Sequence, residues 1–142
     1  MAASHNITSL SVGLLIQDLL SSDETVSGMV TRIFPVIAEI NAKLPYVCFG
    51  RTGTDRELVK GPGSGADMVT VECRCYAATY AQSIELAEAV RACLDHVQAT
   101  YQSPDANGTL VARSIDLIGS EEAWEDDAFG QSLVFNVRIN NE

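Results

Sequence analysis

The side chains able to do chemistry fall into four groups. Four cysteines come first: Cys48, Cys73, Cys75 and Cys93. Thiolates bind metal or attack electrophiles when they are clustered and accessible. Here the spacing is neither C-x-x-C nor that of a zinc finger. Cys73 and Cys75 point to one face of an alternating stretch, and Cys93 lies on the apolar stripe of the helix that follows. A thiolate metal site is one use of that arrangement, but small reduced hydrophobes in a core account for it more simply and fit a reducing compartment. The second group is His5 and His96, the only near-neutral bases. The first lies in an N-terminal lead, and the second lies near a helix C-terminus, where it can interact with the end dipole.

The third group is the run Gly119-Ser-Glu-Glu-Ala-Trp-Glu-Asp-Asp-Ala-Phe-Gly130, with Glu121, Glu122, Glu125, Asp126 and Asp127 around Trp124. It lacks the D-x-[DN]-x-[DN]-G pattern of a calcium loop, so it reads as a solvated hairpin tip. Glu121 and Glu125 are the pair that acid–base catalysis by carboxylates would use. The fourth group is the glycine-rich stretch 53–66. A phosphate loop must open a helix and end in GK[ST]; here a strand follows, so the stretch reads as a mobile loop that extends a hairpin and suits partner contacts. No G-x-S-x-G or H-E-x-x-H occurs. The expectation is a protein that is not an enzyme and has no catalytic residues, no cofactor and no metal.

The elements that must position these groups are legible from periodicity. From 68 to 77, Val69, Val71, Cys73, Cys75 and Ala77 alternate with Thr70, Glu72, Arg74 and Tyr76, as in a half-buried strand. At Thr79 the period changes to 3.6, with Leu86, Val90, Cys93, Leu94 and Val97 on one stripe. Thr79 and Gln82 fit a capping box. Glu88 with Arg91, and Arg91 with Asp95, are spaced for ion pairs on the wet side.

Upstream, residues 1–10 read as a flexible lead. Val12, Leu15, Ile16, Leu19 and Leu20 then form a first amphipathic helix behind Ser11 as N-cap, and Asp23 caps a short second turn. Val30 to Pro35 and Leu44 to Thr52 read as short strands, with Pro35 and Pro45 at strand ends or on an edge. Downstream, 98–109 reads as a turn region. Leu110 to Ile118 and Gln131 to Asn140 read as the last strands, paired antiparallel.

A chain of 142 residues is about one domain and buries roughly two thirds of its unfolded surface. The expected division is therefore the lead at 1–10 and a single domain at 11–142. Hydrophobic residues make up 46%, and no apolar run reaches bilayer-spanning length. The N-terminus has no basic n-region, so no secretory signal is expected. Nine Lys and Arg against nineteen Asp and Glu give a net charge of −10, which opposes binding to a polyanion.

The residues Arg32-Ile-Phe-Pro35, Leu44-Pro-Tyr-Val-Cys-Phe49, Val69 to Tyr80 running into Ile84 to Arg91 and Leu94, and Trp124-Glu-Asp126 resemble, in this order, the bacteriophage and prophage tail completion proteins, also called tail terminators or tail-to-head joining proteins. The resemblance covers residues 11–140. It implies an α+β fold, an antiparallel sheet with two main helices packed on one face. It also implies a homohexameric ring at the head-proximal end of the tail, in the virion, which ends tube growth and presents a surface to the head connector.

The partners it implies are other copies of the chain, the tail tube protein and the head connector or stopper protein. DNA would only pass through the lumen, without specific binding, and no membrane is involved. On this reading the candidate interface is Arg51, Arg56, Glu57 and Lys60 of one copy against Glu121, Glu122, Glu125, Asp126 and Asp127 of the next.

Two other classes stay open. A small homodimeric regulatory or ligand-binding module would use the apolar faces around Val69 and Leu133 as a pocket. A hydrolase would use Glu121 and Glu125.

Overall fold

A computed structural model describes residues 7–56, 65–103 and 108–141 of the chain. The helices are α1 (Val12–Ser22), α2 (Glu24–Met29) and α3 (Tyr80–Leu94), with a 3₁₀ turn, Ser9–Ser11, ahead of α1. The strands are β1 (Arg32–Pro35), β2 (Tyr46–Arg56), β3 (Gly65–Ala77), β4 (Ala99–Gln102), β5 (Thr109–Glu125) and β6 (Ala128–Asn141). They form one six-stranded sheet in the order β1-β2-β3-β6-β5-β4.

The expected antiparallel sheet is in fact mixed, because β1 runs parallel to β2 from Arg32 opposite Tyr46 to Pro35 opposite Phe49. The physical reason is the intervening connector: residues 36–45 carry the chain back across the sheet, so β2 starts beside the start of β1. All other pairs are antiparallel.

The two longer helices lie on one face, as expected, with α1 against β1 and β2 and α3 against β3 and β6. Beneath them Val47, Phe49, Val69, Val71, Cys73, Cys75, Leu133, Phe135 and Val137 meet Leu15, Ile16, Leu86, Val90 and Leu94 in one core. Because the side-chain period of a strand is two, β3 sends its odd-numbered residues into this layer and its even-numbered ones to the other face. Val69 and Leu133 are therefore buried in the core beneath the helices.

Caps fix the helix ends. The Thr79 hydroxyl accepts from the Gln82 amide, and Asp23 accepts from the Val26 amide at 2.9 Å, which starts α2. Ser11 precedes α1 but makes no side-chain cap bond; Thr8 does so one turn earlier, accepting from Leu10. In the stretch expected to be a lead, Ser9 is buried and donates to Asp67 at 2.6 Å.

Two further stretches differ from expectation. The ladder takes both ends of the loop expected at 53–66, since β2 continues to Arg56 and β3 starts at Gly65; residues 57–64 lie outside the described part. The turn region expected at 98–109 contains β4, which pairs with β5 from Ala99 opposite Ala112 to Gln102 opposite Thr109.

Candidate functional site

The acidic run is a strand pair before it is a loop. β5 continues unbroken to Glu125 and turns at Asp126 and Asp127, whose φ angles are 51° and 61°. Two positive φ values in a two-residue connection are what a tight hairpin needs to match the strand twist, and aspartate tolerates them. The carboxylates expected at a flexible tip are therefore held on a ladder that runs from Glu121 opposite Ser132 to Glu125 opposite Ala128.

Alternation sorts the ladder's side chains. On the helix-side face, Trp124 lies edge-on to Phe129 with ring centroids 4.8 Å apart, and Phe129 meets Tyr80 at 5.8 Å. Glu122 shares this face. It accepts from the Tyr80 hydroxyl at 2.7 Å and from Gln131 Nε2 at 2.9 Å, while Gln131 also donates to Ser83 at 3.3 Å. These bonds hold the Glu122 carboxyl below its ordinary pKa, Gln131 contributing most, and the Tyr80 hydroxyl is raised by the same carboxylate. Trp124 stays 58% exposed. The product is an aromatic wall beside a carboxylate in a fixed orientation, at the N-terminal end of α3.

On the other face, Glu125 comes within 3.4 Å of the Tyr76 hydroxyl, and burial pushes Tyr76 up to about 12. Tyr46, Tyr76, Phe34, Cys48 and Ala128 form a second, smaller apolar cluster, covered by Ala38, Ala42 and Leu44 of the connector. Between that connector and the hairpin lies an open pocket of about 590 Å³. Arg74, one of its lining residues, is already engaged, with Glu72 at 3.6 Å and the Val36 carbonyl at 2.9 Å. Val36 sits at φ 67°, costly for a β-branched residue, and is held there by that bond and by its own amide donating to the Phe49 carbonyl. Val36, Ile37 and Ile40 are exposed, Ile40 fully.

The basic half of the expected interface lies elsewhere. Arg51 is exposed on β2 and makes no ion pair or hydrogen bond among the described residues. Arg56 ends that strand, and Glu57 and Lys60 lie outside the described residues. Within one chain the sheet keeps Arg51 apart from Glu121, Glu122, Glu125, Asp126 and Asp127, because β3 and β6 separate β2 from β5.

A cluster not anticipated from sequence closes the far end of α3. His96, at φ 63°, places Nδ1 3.2 Å from Asp116 and Nε2 3.5 Å from Asp95, and its amide donates to the Ile115 carbonyl. Asp95 also accepts from the Leu117 amide at 2.9 Å, and among the described residues Arg91 pairs with Glu88 at 3.4 Å and not with Asp95 as expected. These three groups are near enough to share a cation. Yet the two ring nitrogens face different carboxylates, which suits a clamp that locks the helix end to β5. The signal available in sequence was His96 next to Asp95, but its partner at 116 depends on register.

The cysteines behave as core. Burial raises Cys73 well above the ordinary thiol range, Cys75 and Cys93 to about 12, and Cys48 to a lesser degree. Cys93 donates to the Leu19 carbonyl, tying α3 to α1.

No protein-family model and no curated protein sequence matches the chain. Among solved structures, it shares its fold with a chain of the virion of a native gene transfer agent particle. The TM-score is 0.67 at 17% identity, over 89% of this chain and 92% of that one.

Proposed function

We propose that this chain is a structural protein of a phage-like virion, a tail completion or terminator protein. It forms a ring, of six copies, at the head-proximal end of the tail, ends tube growth and joins the tail to the head connector or stopper. The observation that carries this reading is the fold shared with a virion chain over nearly the full length of both.

Three features support it. The functional groups that stand out are surfaces for contact, the Trp124–Phe129 wall and the Val36–Ile40 aliphatics. His96 holds the fold together, and Cys73 and Cys75 stay protonated in the core. The net charge of −10 suits a channel through which DNA passes without sticking. The role is non-enzymatic, with the tail tube protein, the connector and other copies of the chain as partners. No helix among the described residues is long and apolar enough to cross a membrane.

Electron microscopy of the purified protein mixed with tail tubes tests the proposal. Rings seated at one end of the tubes are expected, and tubes with bare ends at saturating protein overturn it. The pocket of about 590 Å³ favours a second reading, a homodimeric ligand-binding module. That reading requires a dimer and a small molecule that raises its Tm.

A further inference from the structure

We infer that copies of this chain join by adding the acidic edge of β5 to the free edge of β2 of the next copy, making one sheet continuous from subunit to subunit. This deepens the ring reading and rests on it for closure, though the strand pairing stands on the sheet itself.

Both outer strands of the sheet are shorter than the strands they cover. β1 pairs with β2 only from Tyr46 to Phe49, so from Gly50 to Arg56 no strand among the described residues occupies the outer side of β2. β4 pairs with β5 only from Thr109 to Ala112. Between, the Ile115 carbonyl and the Leu117 amide are taken by His96 and Asp95. From Ile118 to Glu125 no strand among the described residues lies on the outer side, and every residue in that run is exposed. Unpaired edges of this length are a standing invitation to pair with another chain.

The two edges match in length and direction, and in charge on the helix-side face. Seven and eight residues span about 23 and 26 Å at the rise of a strand. Three antiparallel steps separate β2 from β5, so the two strands run in opposite directions, and a second copy with the same sheet orientation brings them together as an antiparallel pair. Sorted by face, Arg51 of β2 and Glu122 of β5 lie on the helix side of the sheet, and Asp55, Glu121 and Glu125 lie on the other. Self-pairing of the glutamate edge is therefore repelled, while pairing with β2 brings Arg51 and Glu122 to the same face.

The free segments lie at opposite ends of the strands, because Arg56 is opposite Asp67 at the start of β3 and Glu122 shares a register line with Cys75 near its end. Joining them staggers each copy along the strands. That stagger is also what makes the pairing fit: it sets the next copy's β1 beyond the turn at Asp126 and Asp127, clear of β5. Contact between two different surfaces is heterologous and closes into a ring when the rotation per copy allows.

Hydrogen exchange read by mass spectrometry on the full chain, from micromolar to millimolar, tests this. Exchange of both 50–56 and 118–125 is expected to slow at least tenfold as copies associate, while Thr100 and Tyr101 of β4 keep their rates. Arg51→Glu is expected to weaken association about fivefold, the scale of an exposed ion pair, with recovery when it is mixed with Glu122→Lys, whose substituted position shares its face of the sheet. Association that leaves both segments exchanging at monomer rates overturns the inference and leaves the ring reading standing. A chain still monomeric at millimolar concentration also overturns it. Protection of both edges in a protein that leaves tube ends bare keeps the pairing and removes the terminator.

Discussion

Burial of Cys75 makes the stability of this domain fall in mild alkali by a predictable amount. Its thiol lies under α3 with no exposed surface, and burial, with a smaller contribution from Cys48, raises it from 9.0 to about 12. Below pH 9 the thiol is protonated both folded and unfolded, and its contribution to folding is constant. Above pH 9 the unfolded chain releases the proton and the folded chain keeps it, so the native state binds more protons and stability falls as pH rises towards 12. The slope is about 1.4 kcal/mol per pH unit, which is about 2 kcal/mol by pH 10.5 and about 4 kcal/mol over the full interval.

Cys75→Ala removes this dependence at the cost of a small cavity. Urea unfolding of both proteins under reductant from pH 7.5 to 10.5 isolates the effect, because all other titrations are shared. The variant should be less stable by a fixed amount up to pH 8.5, and the gap should close by about 2 kcal/mol at pH 10.5. A gap independent of pH would show that Cys75 is not buried as described.

Other outcomes follow from the same packing. Phe135→Ala, at a fully buried position between Val71 and Leu117, should cost about 3–5 kcal/mol in a urea titration, a large part of a domain's stability. Thr79→Ala should cost about 1 kcal/mol by the same measure and loosen the first turn of α3 in hydrogen exchange. Gly130→Val should distort the hairpin, because even a Cβ there would lie 3.0 Å from the Tyr76 ring; a loss of about 1–3 kcal/mol is expected, with altered near-ultraviolet dichroism.

What could be read from sequence was whatever one buried face imposes on a regular period. Val69 to Ala77 and Leu86 to Leu94 alternate or repeat because the core selects every second or every third to fourth residue, and both elements were placed correctly. The outer half of β5 carries no such mark. Glu121, Glu122, Ala123, Trp124 and Glu125 are exposed on both faces, so nothing forces them to alternate, and a long hairpin arm looked like a loop. The parallel entry of β1 and the existence of β4 were hidden for another reason: four-residue strands carry too few side chains to show a period, and their partners lie at register positions that sequence does not display.

The site divides the same way. The charged residues were recognisable as surface, but the bonds from Tyr80 and Gln131 that orient Glu122, and the clamp of Asp95, His96 and Asp116, exist only because distant strands align them.

Tail tube assembly followed over time with this protein added in small amounts tests the central proposal most directly. If the chain caps the tube, growth stops early and mean tube length falls as the ratio of rings to tube ends approaches one, at amounts far below the tube subunit concentration. Tubes that reach the same length distribution with and without it would contradict the account.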